Sequence, residues 1–504
     1  MTGPSAGLVQ RTLAGMAWTT VGMAVQTVLQ TAIVMTLARL LAPADFGVVS
    51  IALVVIGFAA IFGELGRVPA LIQREALEPV HVRTAFTTSL LLAAAVAAVL
   101  VALGPAVGRL FDVPAVEPIT RLLALSLVIR AWGAVPSALL QRAMRFRTVA
   151  VAGVVSYLVG FGLAGIPLAL AGAGAWALAV AHMVQVVVHS LTVHAVCPVA
   201  CRPGFDRRAF AQLIAFGSGI SVARLANYLA LRGDNAVVGH ALGPTALGLY
   251  GPAYHLMALP ADLFQRIVQS VLFPAVARLQ SEPTRLAATY RRGLALTGLV
   301  ALPGSGLAIM LAPEVVDVLL GPRWSGVTVP LQILATGMFF RVGYKVSVVV
   351  VKATGAVGQF ALRQMPYPVM VLSFAWLGTS WGVSGVAAGV VAALAVHYVL
   401  LTSLGLRVAR LTLRDYLAAH GPAVLLAVVL SGQAWIVLGF ARDAHLPAWA
   451  TLAVVVGSIG GTVAALVRWA PARVLGDEGL WVRHSLGAFV ARRRARAGAS
   501  ITRP

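Results

Sequence analysis

Residues 81–110 read HVRTAFTTSLLLAAAVAAVLVALGPAVGRL. After Arg83 the chain runs from Thr84 to Val107 without a charged residue, and Arg109 closes the run. A helix rises ~1.5 Å per residue, so crossing a hydrocarbon core of ~30 Å takes about 20 mainly apolar residues. This stretch meets that length. The next apolar run, 119–139, ends before Arg142, Arg145 and Arg147, so basic residues gather at one end of the helical pair.

Working outward with the same criterion gives fourteen candidate spans. Six lie at 12–37, 46–63, 84–107, 119–139, 148–171 and 173–196. Six more lie at 211–238, 245–278, 289–311, 327–353, 358–379 and 382–406, and a last pair at 415–440 and 447–469. The run from Thr12 is too long for a cleavable signal peptide and lacks a small-residue cleavage site. Composition agrees with this reading. Of 504 residues, 60% are apolar and only 11% charged, with a mean hydropathy of +0.91. A soluble domain carries about 25% charged residues, and a disordered or collagen-like chain is not rich in Ala, Val and Leu. The fold class expected is therefore all-α and polytopic.

The net charge of +22 could suggest nucleic acid, but its placement argues otherwise. With the N-terminus in the cytoplasm, 27 basic residues fall on the cytoplasmic side, 5 on the outer side and 6 within spans. That is the positive-inside pattern, and a missing or extra span would break it downstream. The expectation is a plasma (inner) membrane protein with both termini cytoplasmic, making no contact with nucleic acid. The tail from about 471 interleaves Leu480, Trp481, Leu486, Phe489 and Val490 with arginine. It reads either as an interfacial helix on anionic lipid or as a solvated tail. Cys197 and Cys201 cannot build a disulfide framework and lack the second pair that a structural zinc site needs.

An ionisable residue inside a span costs at least ~2.5–3.5 kcal/mol on insertion scales, so it is a functional candidate. Six basic residues qualify: Arg130, Arg224, Arg232, Arg266, Arg341 and Lys345. At ~1.5 Å per residue Arg224 lies about 20 Å from the cytoplasmic end, near the midplane. Asp234 and Asp262 are the acids within spans. They read as partners of Arg232 and Arg266, or as ion-coupling groups. Either way Arg224, Arg341, Lys345 and Arg130 are left over, which points to a hydrated cavity and an anionic ligand. The guanidinium fork suits phosphate or pyrophosphate. Arg130 reads either as a cavity cation or as a snorkelling residue.

Other patterns carry less. Gly160-Phe-Gly162-Leu-Ala-Gly165 has the form of a dinucleotide fingerprint, but it sits inside a span with no preceding strand. Close helix packing accounts for it better, as for Gly385/Gly389 and Gly457/Gly461. His182, Gln185 and His189 share a helix face without a carboxylate or thiolate to complete a metal site. No P-loop and no Ser/His/Asp set is present, so neither a cofactor, nor a metal, nor catalysis is expected.

The stretches LARLLAPADFGVVSIAL (37–53), ELGRVPALIQR (64–74), ALLQRAMRFRTVAVAGVVS (138–156), GAGAWALAVAHMVQ (172–185), GDNAVVGHALGPTALGLYGPAYHLMALP (233–260), VLFPAVARLQ (271–280) and LLGPRWSGVTVPLQILA (319–335) together resemble one family. It is the polysaccharide transporter family, the O-antigen and exopolysaccharide flippases of the multidrug/oligosaccharidyl-lipid/polysaccharide exporter superfamily. The resemblance implies two six-helix bundles, 1–196 and 197–406, around a central cavity, followed by two further helices (407–470) and a basic tail (471–504). It also implies a substrate, an undecaprenyl-pyrophosphate-linked oligosaccharide carried outward by alternating access, with a polysaccharide polymerase or export machinery as partner. No single motif transfers a site, so Arg224, Arg341, Lys345, Arg130 and Arg266 are the substrate candidates on charge alone. A peptidoglycan lipid-precursor flippase is the chemically nearest alternative, and a multidrug cation antiporter of the same superfamily the next. A membrane polymerase or ligase would carry a longer outer loop than 311–328.

Overall fold

The structure is a computed structural model that describes residues 25–64, 71–72, 74, 77–198, 204–280 and 282–469. It is helical, with no strand among the described residues. Ten described helices are long and apolar enough to cross a membrane, so the chain is a polytopic helical membrane protein. The helices are α1 (Val25–Leu40), α2 (Pro43–Glu64), α3 (Pro79–Leu110), α4 (Val116–Arg142), α5 (Phe146–Leu170) and α6 (Ala175–Val196). A helical stretch, Arg207–Ala277, follows and divides at Gly243 into α7 (207–242) and α8 (244–277). Then come α9 (Pro283–Met310), α10 (Ala312–Leu319), α11 (Thr328–Thr336), α12 (Met338–Ala353), α13 (Val357–Gln364) and α14 (Pro366–Gly378). The series ends with α15 (Gly382–Val408), α16 (Leu413–Asp443) and α17 (Ala448–Trp469). The start of the first span, Cys201 and the tail lie outside the described residues.

Local sequence explains the boundaries. Proline opens α2, α3 and α9, where its missing N–H costs nothing. Asp45 accepts from the Ala42 amide at 2.9 Å at the start of α2. Thr412 and Asp415 form a reciprocal capping box at the start of α16. Gly243 breaks the α7–α8 stretch because its backbone sits at φ +82°, a region side-chain-bearing residues avoid.

The chain divides into two compact units. The first comprises residues up to Gly251 together with Leu319–Trp324 and Ala375–Val386. Its buried faces are rich in alanine, with Ala52, Ala85, Ala124, Ala138, Ala152, Ala177, Ala179 and Ala181 all buried. Lipid is as apolar as leucine, so close approach of small residues, rather than exclusion of water, is what holds such helices together. Gly160 packs this way: a Cβ there would lie 2.6 Å from the Ala181 carbonyl of α6. Gly385 likewise packs on the backbone of Gly378. Gly457 and Gly461 do not, since nothing lies within 4 Å of a Cβ at either, which corrects the packing read from their spacing. Trp324 is fully buried; its indole N–H donates to the Ala38 carbonyl at 2.7 Å and its ring meets Phe46 edge-on at 5.1 Å.

Two close approaches in the first unit are reciprocal. A Cβ on Gly47 would overlap the carbonyl oxygen of Pro244, and a Cβ on Gly248 would overlap that of Pro43. Pro43–Gly47 and Pro244–Gly248 have the same proline-to-glycine spacing. Equal segments contacting each other through swapped roles are what a local twofold axis produces.

The second unit comprises Pro252–Val318, Ser325–Phe374 and the chain from Ala387. Val276, Leu286, Tyr290, Leu294, Val346, Val349 and Val350 form one core cluster. Within it the Tyr290 hydroxyl bonds Ser347 at 2.8 Å, so the one polar tip is satisfied. The last two helices pack on the end of α9 through Leu311, Leu430, Ala434, Leu438, Val455 and Ile459. Glu314, buried on α10, is held by Arg442 of α16 at 2.7 Å.

Candidate functional site

The first unit holds a cavity of about 610 Å³ lined by residues of α1, α4, α5, α6 and α7. Arg130 enters it from α4 and Arg224 from α7. His182, Gln185 and His189 project from one face of α6, at helical spacing of three and four residues. Gln26, Gln141, Ser137, Ser156 and Ser190 complete the polar lining, and no carboxylate is among its described residues. Arg130 forms no ion pair among the described residues, and its exposed side chain faces the cavity. Two cations with amide, imidazole and hydroxyl groups around them can hold an anion and hydrogen-bond a polyhydroxylated group attached to it.

The second unit carries a different cationic group. Arg341 and Lys345, four residues apart on α12, share a face. Tyr254 and Asp262 on α8 meet them. The Arg341 guanidinium donates to the Tyr254 hydroxyl at 2.7 Å and lies 5.1 Å from that ring's centre. One oxygen of Asp262 lies 3.4 Å from the Lys345 ammonium and 4.0 Å from the Arg341 guanidinium. The cations are 9% exposed in their side chains, the carboxylate 50%.

The sequence-derived candidates thus separate into two groups, Arg130 with Arg224 and Arg341 with Lys345. Asp234 differs from the pairing expected of it. Asp234 is buried and accepts from the Tyr250 hydroxyl at 2.6 Å and from the Asn235 amide at 2.8 Å, while Arg232 is exposed. Residues two apart point to different sides of a helix, which is why that pair does not form. The Arg266 side chain lies outside the described residues. Asp262 reaches Lys345 and Arg341 of α12, so these two cations have a carboxylate beside them. His182, Gln185 and His189, which sequence reading weighed only as a metal site, turn out to be cavity lining. Their shared helical face was the available signal, and what it lacked was a statement of what it faced. Tyr254 had no signal at all.

Comparison with known proteins bears on this geometry. A family described as polysaccharide biosynthesis protein matches residues 36–329. That range covers Arg130, Arg224, Arg232, Asp234, Asp262 and Arg266 and stops short of Arg341 and Lys345. The chain is 29% identical over 301 residues to the succinoglycan biosynthesis transport protein ExoT of Rhizobium meliloti (strain 1021), covering 59% of this chain and 60% of that protein. It is 24% identical over 343 residues to the lipopolysaccharide biosynthesis protein WzxC of Escherichia coli (strain K12), covering 67% and 69%. Among solved structures, the lipid II flippase MurJ in its inward closed conformation superposes with a TM-score of 0.65 at 12% identity, over 81% of this chain and 91% of that one. At that identity the likeness describes the fold. With more than half of its length matched by the family model, this chain belongs to the polysaccharide biosynthesis protein family.

Proposed function

We propose that this chain is a flippase that moves an undecaprenyl-pyrophosphate-linked oligosaccharide across the plasma (inner) membrane by alternating access, for O-antigen, capsule or exopolysaccharide synthesis. The observation that carries the reading is the cavity of the first unit, where Arg130 and Arg224 stand among hydrogen-bonding side chains with no carboxylate in the described lining. A pyrophosphate crossing hydrocarbon meets a large desolvation barrier. Paired arginines lower that barrier, and the Gln, Ser and His groups suit sugar hydroxyls. Arg341 and Lys345 of the second unit form a separate cationic group. The relatives named for succinoglycan transport and lipopolysaccharide biosynthesis support a polysaccharide role over peptidoglycan-precursor flipping. A basic cavity opposes the multidrug-cation reading. The chain acts as a transporter and not an enzyme, and a polysaccharide polymerase or export complex receives the product.

The matching Pro43–Gly47 and Pro244–Gly248 segments support two repeats, which are assigned to 1–196 and 197–406, with 407–470 as two added helices and 471–504 as a basic tail. Fourteen spans with both termini cytoplasmic follow from the charge asymmetry. Reporter fusions after residues 112, 172, 242 and 318 should read periplasmic, and those after 205, 283 and 410 cytoplasmic. One inverted pair in the middle would overturn the arrangement.

Reconstituted vesicles test the function. The protein should transfer a pyrophosphate-linked undecaprenyl oligosaccharide between leaflets and leave the same oligosaccharide on a neutral lipid behind. Equal transfer of both, or uptake of a lipophilic cation instead, would sink the reading.

A further inference from the structure

A groove of about 580 Å³ lies in the second unit, between the end of α9, the start of α10, α11 and the last turns of α16. Its walls are apolar, with Ile309, Met310, Trp435, Ile436 and Phe440 along them. Arg442 and Asp443 stand at one end, in the last turn of α16. Ile436 is about 10 Å further along the helix at ~1.5 Å per residue, so the groove has a charged mouth and an apolar depth. That is the profile of a membrane lipid.

The mouth has unused bonding capacity of both signs. Arg442 donates from Nε and from one terminal nitrogen, at 2.8 and 2.7 Å, to the same oxygen of Glu314. The other oxygen of Glu314, Oε2, is buried and has no hydrogen-bond partner among the described residues. The second terminal nitrogen of Arg442 has no partner among them either, on a side chain 52% exposed. Asp443 is exposed and forms no ion pair among the described residues. The Gln332 amide, by contrast, is taken up by the Ile309 carbonyl at 3.0 Å. One spare cationic donor therefore stands beside two carboxylates with acceptor capacity to spare.

We propose that this groove binds a phospholipid whose head group joins a phosphate to a primary ammonium, with its acyl chains along the apolar wall. The phosphate takes the spare nitrogen of Arg442. The ammonium brings three N–H donors, which Asp443 and the unused oxygen of Glu314 lack. A trimethylated ammonium keeps the charge and has no N–H to give. A purely anionic head meets Asp443 with no donor of either kind, and a pyrophosphate-linked lipid adds a second negative charge to that conflict. The seated chains cover Trp435 and Phe440, whose residues are 71% and 74% exposed. The inference needs only a chain embedded in a membrane, so it stands or falls independently of what is transported.

The test uses the full-length protein in delipidated detergent micelles. It is titrated with phosphatidylethanolamine, phosphatidylcholine and phosphatidylglycerol carrying identical brominated acyl chains, which quench nearby tryptophan. The chain has ten tryptophans, so the signal is the part of the quenching that Trp435→Phe removes. Phosphatidylethanolamine should reach half-quenching at about one tenth of the concentration of the other two, the size of one charge-assisted bond. Asp443→Asn alters an exposed side chain and should erase most of that preference. Gly439 lines the groove with nothing within 4 Å of its Cβ position, so Gly439→Leu should fold normally, fill the space and abolish the Trp435 signal. Equal quenching by the three lipids, or a preference that survives Asp443→Asn or Gly439→Leu, would overturn the proposal. So would displacement of the brominated lipid by undecaprenyl pyrophosphate at lower concentration than by unbrominated phosphatidylethanolamine, which would give the groove to the polyprenyl lipid instead.

Discussion

Arg130→Gln and Arg224→Gln, made singly, are each expected to cut polysaccharide export by roughly 10- to 150-fold while the protein still inserts and accumulates. The figure follows from a charge-assisted hydrogen bond, ~1.5–3 kcal/mol, acting at the rate-limiting crossing. Glutamine keeps much of the arm and removes only the charge. Both arginines line a cavity whose described lining holds no carboxylate. Lysine at either position should recover part of the activity, because it restores a point charge without the bidentate fork. Arg232→Gln is the control. Asp234 is already held by Tyr250, and Arg232 is exposed, so neither protein level nor export should change. Full export from both cavity variants would mean that the head group is read by the uncharged lining, with Gln185 of α6 as the first residue to examine.

The helices were the most legible part of the chain, and the reason is periodicity with charge. An uncharged run such as 84–107, closed by Arg83 and Arg109, admits few alternatives in a chain with 11% charged residues. The site was legible one residue at a time. A lone Arg130 or Lys345 in an apolar run marks itself by cost alone. Its partner does not, because pairing across helices depends on rotation about each axis, which sequence spacing leaves open. Asp262 illustrates this. Spacing pointed to Arg266 on its own helix, and gave no sign that the fold brings Arg341 and Lys345 from α12 to it. Asp234 illustrates the converse, since its partner is a tyrosine sixteen residues on. The glycines at 47 and 248 were no more informative than the forty-eight others in the chain until their neighbours were known.

Those two glycines carry the largest effect on folding. Gly47→Ala and Gly248→Ala should each remove most of the folded protein, and valine at either position all of it. A methyl group at Gly47 would occupy the carbonyl oxygen of Pro244, and one at Gly248 that of Pro43. The obstacle in both cases is backbone, which cannot rotate aside as a side-chain tip can. Relief therefore requires α2 and α8 to separate, with loss of the close packing that holds helices together in lipid. A destabilisation above about 4 kcal/mol is expected from overpacking of this kind, against a total stability of roughly 5–15 kcal/mol. Gly251→Ala, with nothing within 4 Å of its Cβ on the same α8, should accumulate and melt like the parent. Detergent-solubilised protein followed by size-exclusion fluorescence before and after heating reads all of these. The local twofold axis adds a sharper requirement, that Gly47→Ala and Gly248→Ala shift the melting temperature by similar amounts, since each repeats the other's contact. A large shift from one with none from the other would show that the crossing is not a symmetric pair, and the repeat assignment that leans on it would lose its structural support.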